Sequence, residues 1–280
     1  MLDPEEQKAY TQNGRQFMKA WRYYSDEVYK AYESDQNLKR PQPPLVKGPM
    51  RPGQAPIDLP RDFESLSMPK DAYTLMRQRK SSRYYSQGGI SLLNLSFLLW
   101  ASQGIRDIRG KSYATLRTVP SGGGRHAFET YLVVNRVEGL EAGLYHYLPM
   151  GHQLEFLGPV EEPKGTISAS LSGQSWAAKA DVIFYWSCVA YRAEWRYGIS
   201  AHRVVLIDAG HVAQNLYLAC AALGLGTCAI AAYDQEFCDK LFELDGQEEF
   251  MVYAAPVGTI SAADQAEEKA FYKFVEDQGL

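Results

Sequence analysis

The chain lacks the short motifs that identify most hydrolases, metalloenzymes and nucleotide-binding proteins. It contains neither the G-x-S-x-G turn of serine hydrolases nor the H-E-x-x-H motif of zinc enzymes, and its five histidines have no spacing typical of metal ligands. The glycine-rich residues 120–124 are not followed by Gly-Lys-Ser/Thr, and Gly224-Leu225-Gly226 lacks a third glycine. These absences disfavour a serine or zinc hydrolase, a P-loop protein and a Rossmann dehydrogenase, and they predict no metal site.

Cysteine is also scarce, and the chain has no excess of positive charge. The four cysteines have no C-x-x-C spacing and lie among apolar residues, which predicts buried, reduced thiols in a cytoplasmic protein. The formal net charge of -4 gives no indication of nucleic-acid binding, which usually requires a basic surface. The N-terminus lacks the apolar segment of a secretory signal.

One apolar stretch, residues 204–230, is long enough to span a membrane. It nevertheless contains Asp208, His211 and Asn215, which are unfavourable inside a bilayer. We therefore predict no membrane partner, but a buried helix over residues 203–223. Because this helix is apolar on nearly all faces, it must be covered on every side, either in the centre of the domain or across a subunit interface.

The remaining sequence has a long core segment between two more polar ends. Residues 3–36 are predicted to be helical from the spacing of Trp21, Tyr24 and Val28. The proline-dense residues 40–60 cannot continue a helix and predict an extended arm that wraps the core. We therefore divide the chain into an N-terminal helix and wrapping arm (1–62), a core domain (63–262) and a polar C-terminal tail (263–280).

The core segment is predicted to be a mixed α+β domain. Ser91 is a candidate N-cap for a helix that ends at Gly104, and Asp234 is a candidate N-cap for a helix that ends near Leu244. Other helical patterns cover residues 71–78, 174–179 and 203–223, and strand-like patterns cover 130–137, 144–148, 153–157, 182–189, 227–233 and 250–260.

Two short motifs have chemistry suited to a ligand. Arg79-Lys80-Ser81-Ser82-Arg83 combines cations and hydroxyls, as a phosphate site does, although taken alone it is better explained as a solvated helix end. The loop from Pro120 to His126 contains three consecutive glycines that let backbone N–H groups approach a flat or anionic ligand. Its simpler explanation is a flexible loop.

A third cluster lies between a predicted buried strand and the long helix. Residues 192–198, with His202 and Arg203, concentrate ionisable and aromatic side chains. Strand-to-helix loops often carry functional residues because a rigid frame holds them. The residues alone slightly favour a salt-bridged helix start.

In this order the segments resemble a SagB-type dehydrogenase, in the azoline oxidase-like branch of the FMN-dependent nitroreductase superfamily. The resemblance covers most of the chain and is specific because many short motifs occur in one fixed order. The matching segments are the R-[RK]-S-x-R pattern of residues 79–83, residues 90–104, 119–126, the Gly-Leu-Tyr-His-Tyr of 143–147, 208–216 and 222–226.

The resemblance implies a nitroreductase-like fold, with a central mixed, mainly antiparallel sheet flanked by helices, in an intertwined homodimer with two FMN molecules at its interface. It implies that Arg79 and Ser81 hold the phosphate and ribityl end, and that Arg83 lies near the flavin N1/O2 edge. The other implied cofactor-binding residues are Lys80 and Arg125, the partner-subunit loop of Pro120, Ser121, Gly122 and Gly123, and the backbone of Ala231 and Ala232 toward flavin N5.

The resemblance also implies two catalytic residues. Azoline dehydrogenases of this family carry a Lys-Tyr pair where this chain has Arg196-Tyr197. Arginine stays protonated in proteins and cannot act as a general base, as a lysine can. Tyr197 stays a candidate, with the Arg196 cation beside it.

These observations predict an FMN-dependent oxidoreductase that transfers hydride through flavin N5 in a ping-pong reaction. Two reactions stay open: NAD(P)H-dependent reduction of nitro- or quinone-like acceptors, and dehydrogenation of azoline rings in a peptide. The substrate is accordingly a small molecule or a peptide. The alternative is a catalytically idle flavin-binding or partner module of a peptide-modifying complex.

Overall fold

The computed structural model describes residues 3–19, 26–69 and 71–279. Trp21 and Tyr24, on which the predicted N-terminal helix depends, lie outside the described residues. The described helices are α1 (Pro4–Met18), α2 (Asp26–Ala31), α3 (Ala72–Gln78), α4 (Leu92–Gln103), α5 (Pro163–Ser170), α6 (Tyr191–Tyr197), α7 (Ala201–Leu223), α8 (Gln235–Leu241) and α9 (Ala262–Asp277). The strands are β1 (Ile57–Asp58), β2 (Ile105–Arg109), β3 (Ala114–Arg117), β4 (Phe128–Val134), β5 (Gly143–Leu148), β6 (Gln153–Gly158), β7 (Val182–Val189), β8 (Leu225–Thr227) and β9 (Glu249–Thr259).

A seven-stranded sheet organises the domain in the order β1-β6-β5-β4-β7-β9-β8, and β2 and β3 form a separate hairpin. Every pairing between these named strands is antiparallel. A parallel contact occurs at the isolated bridge between Ile90 and Val137. The predicted fold class, an α+β fold with a mainly antiparallel sheet flanked by helices, is confirmed.

The central strands are apolar on both faces because helices cover both sides of the sheet. Strands β4 and β7 have almost no exposed side chains, and their sequences are nearly continuous apolar runs. Helices α4 and α7 pack on one face, with Leu98 and Leu216 beside Phe184. Helices α5 and α8 pack on the other face, with Ile167 beside Tyr185.

Helix α7 is the longest described helix and positions both candidate sites. It ends where Gly224 adopts the left-handed conformation at φ +67°, as predicted from the glycine. Its burial is one-sided within the described chain: Val212 is buried, whereas Leu206 and Ile207 are 51% and 48% exposed. The prediction of cover on every side is therefore not met inside one subunit.

The α6–α7 segment, Tyr191–Leu223, meets the length and apolarity of a membrane-spanning helix. Within its apolar window, 44% of the residues are buried inside the domain. Core helices of globular domains share this composition, so the segment is weak evidence for a membrane span.

Three predicted elements differ from the structure. The strand predicted over residues 227–233 ends at Thr227, because the Ala229 N–H donates to the Tyr217 hydroxyl at 2.8 Å instead of continuing the ladder. The tail predicted to be polar, for which the sequence predicted no secondary structure, forms helix α9, whose N-cap Ser261 makes a capping box with Asp264. The β2–β3 hairpin was not predicted from the sequence.

The proline-dense segment and the residues just before it lie along the core, where backbone donors hold them. The Gln36 N–H, which precedes the first proline of the segment, donates to the Trp195 carbonyl at 2.8 Å. Further along, the Lys47 N–H donates to the buried Glu129 carboxylate at 2.8 Å, and the Met50 N–H donates to Glu155 at 2.8 Å. These contacts join the arm to the sheet; the domain boundaries at residues 62 and 262 stay a prediction.

Candidate functional site

The basic residues after α3 lie beside the second half of α7. The Arg79 guanidinium lies 5.4 Å from the centre of the Tyr217 ring. The Ser81 hydroxyl is 3.0 Å from the Tyr217 hydroxyl, and the Ser82 N–H donates to the Thr227 carbonyl at 2.8 Å. Helix α7 and strand β8 thus hold this extended segment.

A cleft of about 430 Å³ adjoins these residues. Lys80, Tyr217 and Thr227 line it together with Gln265 of α9. The Lys80 ammonium reaches only the Gln265 amide oxygen, at 3.3 Å, and the buried Thr227 hydroxyl has no partner among the described residues. A cation and unsatisfied hydroxyl in one cleft are suited to an anionic, oxygen-rich ligand. We call this the basic cleft.

Arg83 points toward α9 rather than into the basic cleft. Its backbone N–H donates to the buried Glu268 carboxylate at 3.1 Å, and its guanidinium donates to the Tyr272 hydroxyl at 3.0 Å. A role for Arg83 at the flavin N1/O2 edge stays a prediction.

The glycine loop, residues 120–124, is fastened to the first half of α7. The Gly122 N–H donates to the Asp208 carboxylate at 3.0 Å, and the Ser121 hydroxyl accepts the His126 N–H at 2.9 Å. Burial raises the pKa of Asp208, while its bonds with Ser121 and Gly122 act in the opposite direction. The loop is therefore held in place, which argues against the flexible-loop alternative.

Two of these glycines are required by close packing against α6 and α7. A Cβ on Gly122 would lie 2.4 Å from Val204. A Cβ on Gly123, whose φ is +57°, would lie 2.5 Å from the Arg196 side chain and 2.7 Å from the Tyr197 hydroxyl. The structure thus brings the glycine loop and both candidate catalytic residues together.

Arg196 is held by the arm and by the hairpin. Its guanidinium donates to the Tyr113 hydroxyl at 2.6 Å and to the Gln36 side-chain oxygen at 3.1 Å. A hydrogen bond with Tyr197 raises the pKa of Arg196 above its ordinary value. Sequence reasoning missed Gln36 and Tyr113, which lie far from Arg196 in the chain and belong to no local motif.

Arg125 supports the loop from behind. It is buried, donates to the Tyr113 carbonyl at 2.8 Å, and lies 4.8 Å from the Tyr113 ring centre and 5.4 Å from that of Trp195. Its position accounts for a structural role, and cofactor binding by Arg125 stays a prediction.

Ala231 and Ala232 lie in an exposed segment after the Ile230–Ala254 bridge. Neither N–H has a protein acceptor among the described residues, whereas the Ala232 carbonyl accepts from Gln174 at 3.0 Å. Two free donors in an exposed loop are compatible with the predicted contact to flavin N5.

The basic cleft and the glycine loop are separate within one chain. Their contacts on α7, Tyr217 and Asp208, are nine positions apart, about 13 Å at 1.5 Å per residue. The described residues also contain no group of His, Cys, Asp and Glu side chains suited to hold a metal ion. The four cysteines are free and buried, as predicted.

Residues 76–259 match the sequence profile of the Nitroreductase family, so the chain belongs to the nitroreductase family. It is 33% identical to MJ1384 of Methanocaldococcus jannaschii, a protein named as a nitroreductase, over 72% of this chain and 95% of that protein.

Two solved structures show the same fold. A nitroreductase structure from Ralstonia eutropha JMP134 is 25% identical, with a TM-score of 0.61, and the match covers 79% of this chain and 99% of that one. A chain of the Escherichia coli microcin synthetase McbBCD complex, with truncated pro-MccB17 bound, is 19% identical with a TM-score of 0.57, over 93% and 95% of the two chains. The microcin B17-processing protein McbC is also 26% identical by sequence, over 46% of this chain and 49% of McbC.

Proposed function

We propose that this nitroreductase-family protein is an FMN-dependent oxidoreductase that acts on a substrate beside the glycine loop. The observation that carries the proposal is the basic cleft, whose lining includes Lys80 and the buried Thr227 hydroxyl, for which the described residues offer no partner. Members of the family typically bind FMN and use NAD(P)H as the electron donor.

The residues of the basic cleft fit the phosphate and ribityl end of FMN. Lys80 lines the cleft and Arg79 lies over the ring of the lining residue Tyr217, and these two supply positive charge. Thr227 of the lining and Ser81, beside the Tyr217 hydroxyl, supply hydroxyls for the ribityl chain and phosphate oxygens. When bound, the flavin accepts and donates hydride at N5. The free N–H groups of Ala231 and Ala232 are the candidate donors toward the ring.

The chain's own contribution to proton transfer is assigned to Tyr197. Its hydroxyl lies against the Gly123 backbone, on the same wall as Arg196. The Arg196 cation stabilises negative charge on the phenolic oxygen when Tyr197 gives up its proton. Arg196 itself keeps its proton and therefore holds charge rather than accepting a proton.

A homodimer follows from the same assignment. Nitroreductases are often dimers, and the exposed Leu206 and Ile207 give α7 an apolar face beside Gly210, whose Cα has open space around it. In the proposed dimer, a partner subunit packs on this face, and the glycine loop of one subunit meets the basic cleft of the other.

The preferred reaction is NAD(P)H-dependent reduction of a small nitro- or quinone-like acceptor, since Arg196 stands where azoline dehydrogenases carry lysine. A second candidate is dehydrogenation of azoline rings in a peptide. The likeness to McbC, a microcin B17-processing protein, supports it.

The test starts with the visible absorption spectrum of the purified protein. We expect a yellow protein, or uptake of added FMN, and anaerobic bleaching by NADH or NADPH. Bleaching by an azoline peptide instead would select the second reaction, and a flavoprotein that neither donor reduces would identify the idle module. A colourless protein that takes up no FMN contradicts the proposal.

Tyr197→Phe tests the catalytic assignment. We expect turnover to fall by 10²-fold or more, the usual worth of a positioned acid or base, with FMN still bound. The matched control is Tyr191→Phe on the same helix, because the Tyr191 hydroxyl donates to Asp35 of the arm at 2.7 Å. Equal turnover of Tyr197→Phe and the control would remove Tyr197 from the reaction.

A further inference from the structure

A second cavity, of about 520 Å³, lies between the β2–β3 hairpin and the glycine loop. Arg106, Arg109 and Arg117 of the hairpin line one side, and Ser121 and Gly123 line the other. We call it the arginine cavity. Its wall contains no Asp or Glu, although the chain as a whole has more acidic than basic residues.

The arginines of this cavity have no carboxylate in direct contact among the described residues, although the buried Glu129 acts on Arg117 at longer range. None of the three forms an ion pair with any residue that the structure describes. Arg106 donates only its Nε to the Arg117 carbonyl, at 3.2 Å, and Arg117 donates to the Gln103 side-chain oxygen at 2.8 Å. Asp107, between Arg106 and Arg109 in sequence, accepts the Ile108 N–H at 2.7 Å and does not line the cavity.

The pKa of His126, which lines the cavity, is lowered in part by the same positive charges. His126 is buried at the base of the glycine loop. Burial, and then the charges of Arg117 and Arg125, lower the pKa of His126 to about 3. The imidazole is therefore neutral near neutral pH, and the positive charge of the cavity comes from the guanidinium groups.

The arginine cavity adjoins the candidate catalytic residues through one glycine. Gly123 lines the cavity, and its backbone packs against Arg196 and the Tyr197 hydroxyl. A ligand seated in the cavity would thus lie next to the wall that carries the proposed proton donor.

We propose that the arginine cavity binds an anionic group, a carboxylate or a phosphate, on the molecule with which the enzyme exchanges electrons. The proposal rests on the proposed function and narrows its substrate class to anions. Within the part of the chain that the structure describes, the terminal guanidinium nitrogens of Arg106 and Arg109 have no acceptor, and their planar fork matches the two oxygens of a carboxylate or phosphate.

The experiment compares acceptors that differ in one charge. The holoenzyme is assayed with 4-nitrobenzoate and with neutral 4-nitrobenzyl alcohol, using wild type, Arg106→Gln, Arg109→Gln and Lys111→Gln. Lys111 is the matched control, because it is an exposed cation of the same hairpin that does not line the cavity. We expect each arginine variant to raise KM for the benzoate roughly tenfold or more, the worth of a charged hydrogen bond, and to leave KM for the alcohol unchanged.

The donor arm identifies the source of the anion. NADPH carries a 2′-phosphate that NADH lacks. If the arginine variants raise KM for NADPH and leave KM for 4-nitrobenzoate unchanged, the cavity binds the phosphate of the donor. The proposal is overturned if KM changes equally for the charged and the neutral acceptor and for both donors. It is also overturned if Lys111→Gln changes KM as much as the arginine variants do.

Equilibrium dialysis of 4-nitrobenzoate and NADPH against the oxidised holoenzyme, under conditions without turnover, separates this proposal from the proposed function. Binding that weakens at least tenfold in the arginine variants supports the cavity even when neither acceptor is reduced, and in that case the proposed function fails alone. If the arginine variants bind both probes with the same affinity as the wild type, the cavity proposal is overturned.

Discussion

Two groups of arginines in this protein have opposite surroundings. Arg192 is buried and contacts the Glu129 carboxylate at 2.5 Å, and Glu129 also accepts the arm's Lys47 N–H at 2.8 Å. Arg106 and Arg109 lie on the exposed strand β2 and form no ion pair among the described residues. One group meets carboxylates and joins the arm to the sheet, whereas the other meets none and faces a cavity.

This difference gives a criterion that separates the structural cations of the chain from those that are candidates for binding a ligand. A buried cation that forms an ion pair is part of the fold, since removing its carboxylate leaves an unpaired buried charge that is strongly destabilising. A cation that borders a cavity and lacks a carboxylate keeps its charge for a ligand. By this criterion Arg192 is structural, and Lys80, Arg106 and Arg109 are candidates for binding.

The largest expected effect is on the paired side of the comparison. Glu129→Gln leaves Arg192 buried without its carboxylate, and we expect a loss of about 3–5 kcal/mol in the free energy of unfolding. Urea denaturation at an unchanged m-value measures it. The control is Glu243→Gln, which breaks the exposed Arg51–Glu243 pair of the same arm and is expected to lose at most about 1 kcal/mol. Similar losses of unfolding free energy in the two variants would show that the buried ion pair is no more important for stability than the exposed one.

The second effect is a pH dependence centred on His126. Its pKa of about 3 in the folded chain lies below the ordinary value of about 6.5, so between these values the unfolded chain binds a proton that the folded chain does not. Stability is therefore complete above pH 6.5 and falls as the pH drops toward 3, by up to about 1.4 kcal/mol per pH unit.

His126→Asn is the variant that isolates this term, since asparagine tolerates the positive φ of 44° found there. The wild type should lose more stability than the variant as the pH is lowered from 6.5 to 4.5. Parallel stability curves, measured by urea denaturation at each pH, would show that burial and the neighbouring arginines do not lower the pKa of His126.

The third effect concerns the unpaired side. Arg79→Ala should weaken FMN binding by about 1.5–3 kcal/mol, the worth of a charged hydrogen bond. Fluorescence titration of the apoprotein with FMN measures the change. Arg77→Ala is the control, because Arg77 is an exposed arginine in the last turn of α3, whereas Arg79 lies over the ring of Tyr217, which lines the basic cleft. Unchanged affinity of Arg79→Ala removes that residue from the phosphate site.

The smallest expected effect concerns Arg196, whose hydrogen-bond partners Gln36 and Tyr113 are neutral. Gln36→Ala removes one neutral partner of its guanidinium, and we expect a loss of about 1 kcal/mol in transition-state stabilisation, roughly a fivefold fall in kcat with FMN affinity unchanged. Gln42→Ala is the control, because Gln42 belongs to the same arm and donates to the hairpin at Ser112. Matching kinetics would show that the arm does not position Arg196.

Much of the fold was predictable where one strong local signal decides an element. The Ser91 cap of α4, the buried run of β7 and the glycine at the end of α7 are all confirmed. The hairpin escaped prediction because β2 is a charged, exposed strand with a register shift between Ile105 and Asp107. It lacks the apolar alternation that marks a half-buried strand.

The candidate site was predictable only in part for a related reason. The sequence singled out the glycine loop and Arg196-Tyr197 as separate motifs, and the structure packs them together through Gly123. Gln36 and Tyr113 carry no motif, and their contacts with Arg196 join segments that are distant in sequence. Such non-local contacts arise from the docking of the arm and the hairpin, which no short pattern encodes.

The placement of both half-sites on α7 has a genetic consequence. Arg79 belongs to one half and Tyr197 to the other, and in a dimer each complete site would combine halves from two subunits. A mixture of Arg79→Ala and Tyr197→Phe subunits would then contain heterodimers in which one site carries both defects and the other carries none. Two impaired variants would then complement each other, and the recovered activity would measure the fraction of subunits that have exchanged.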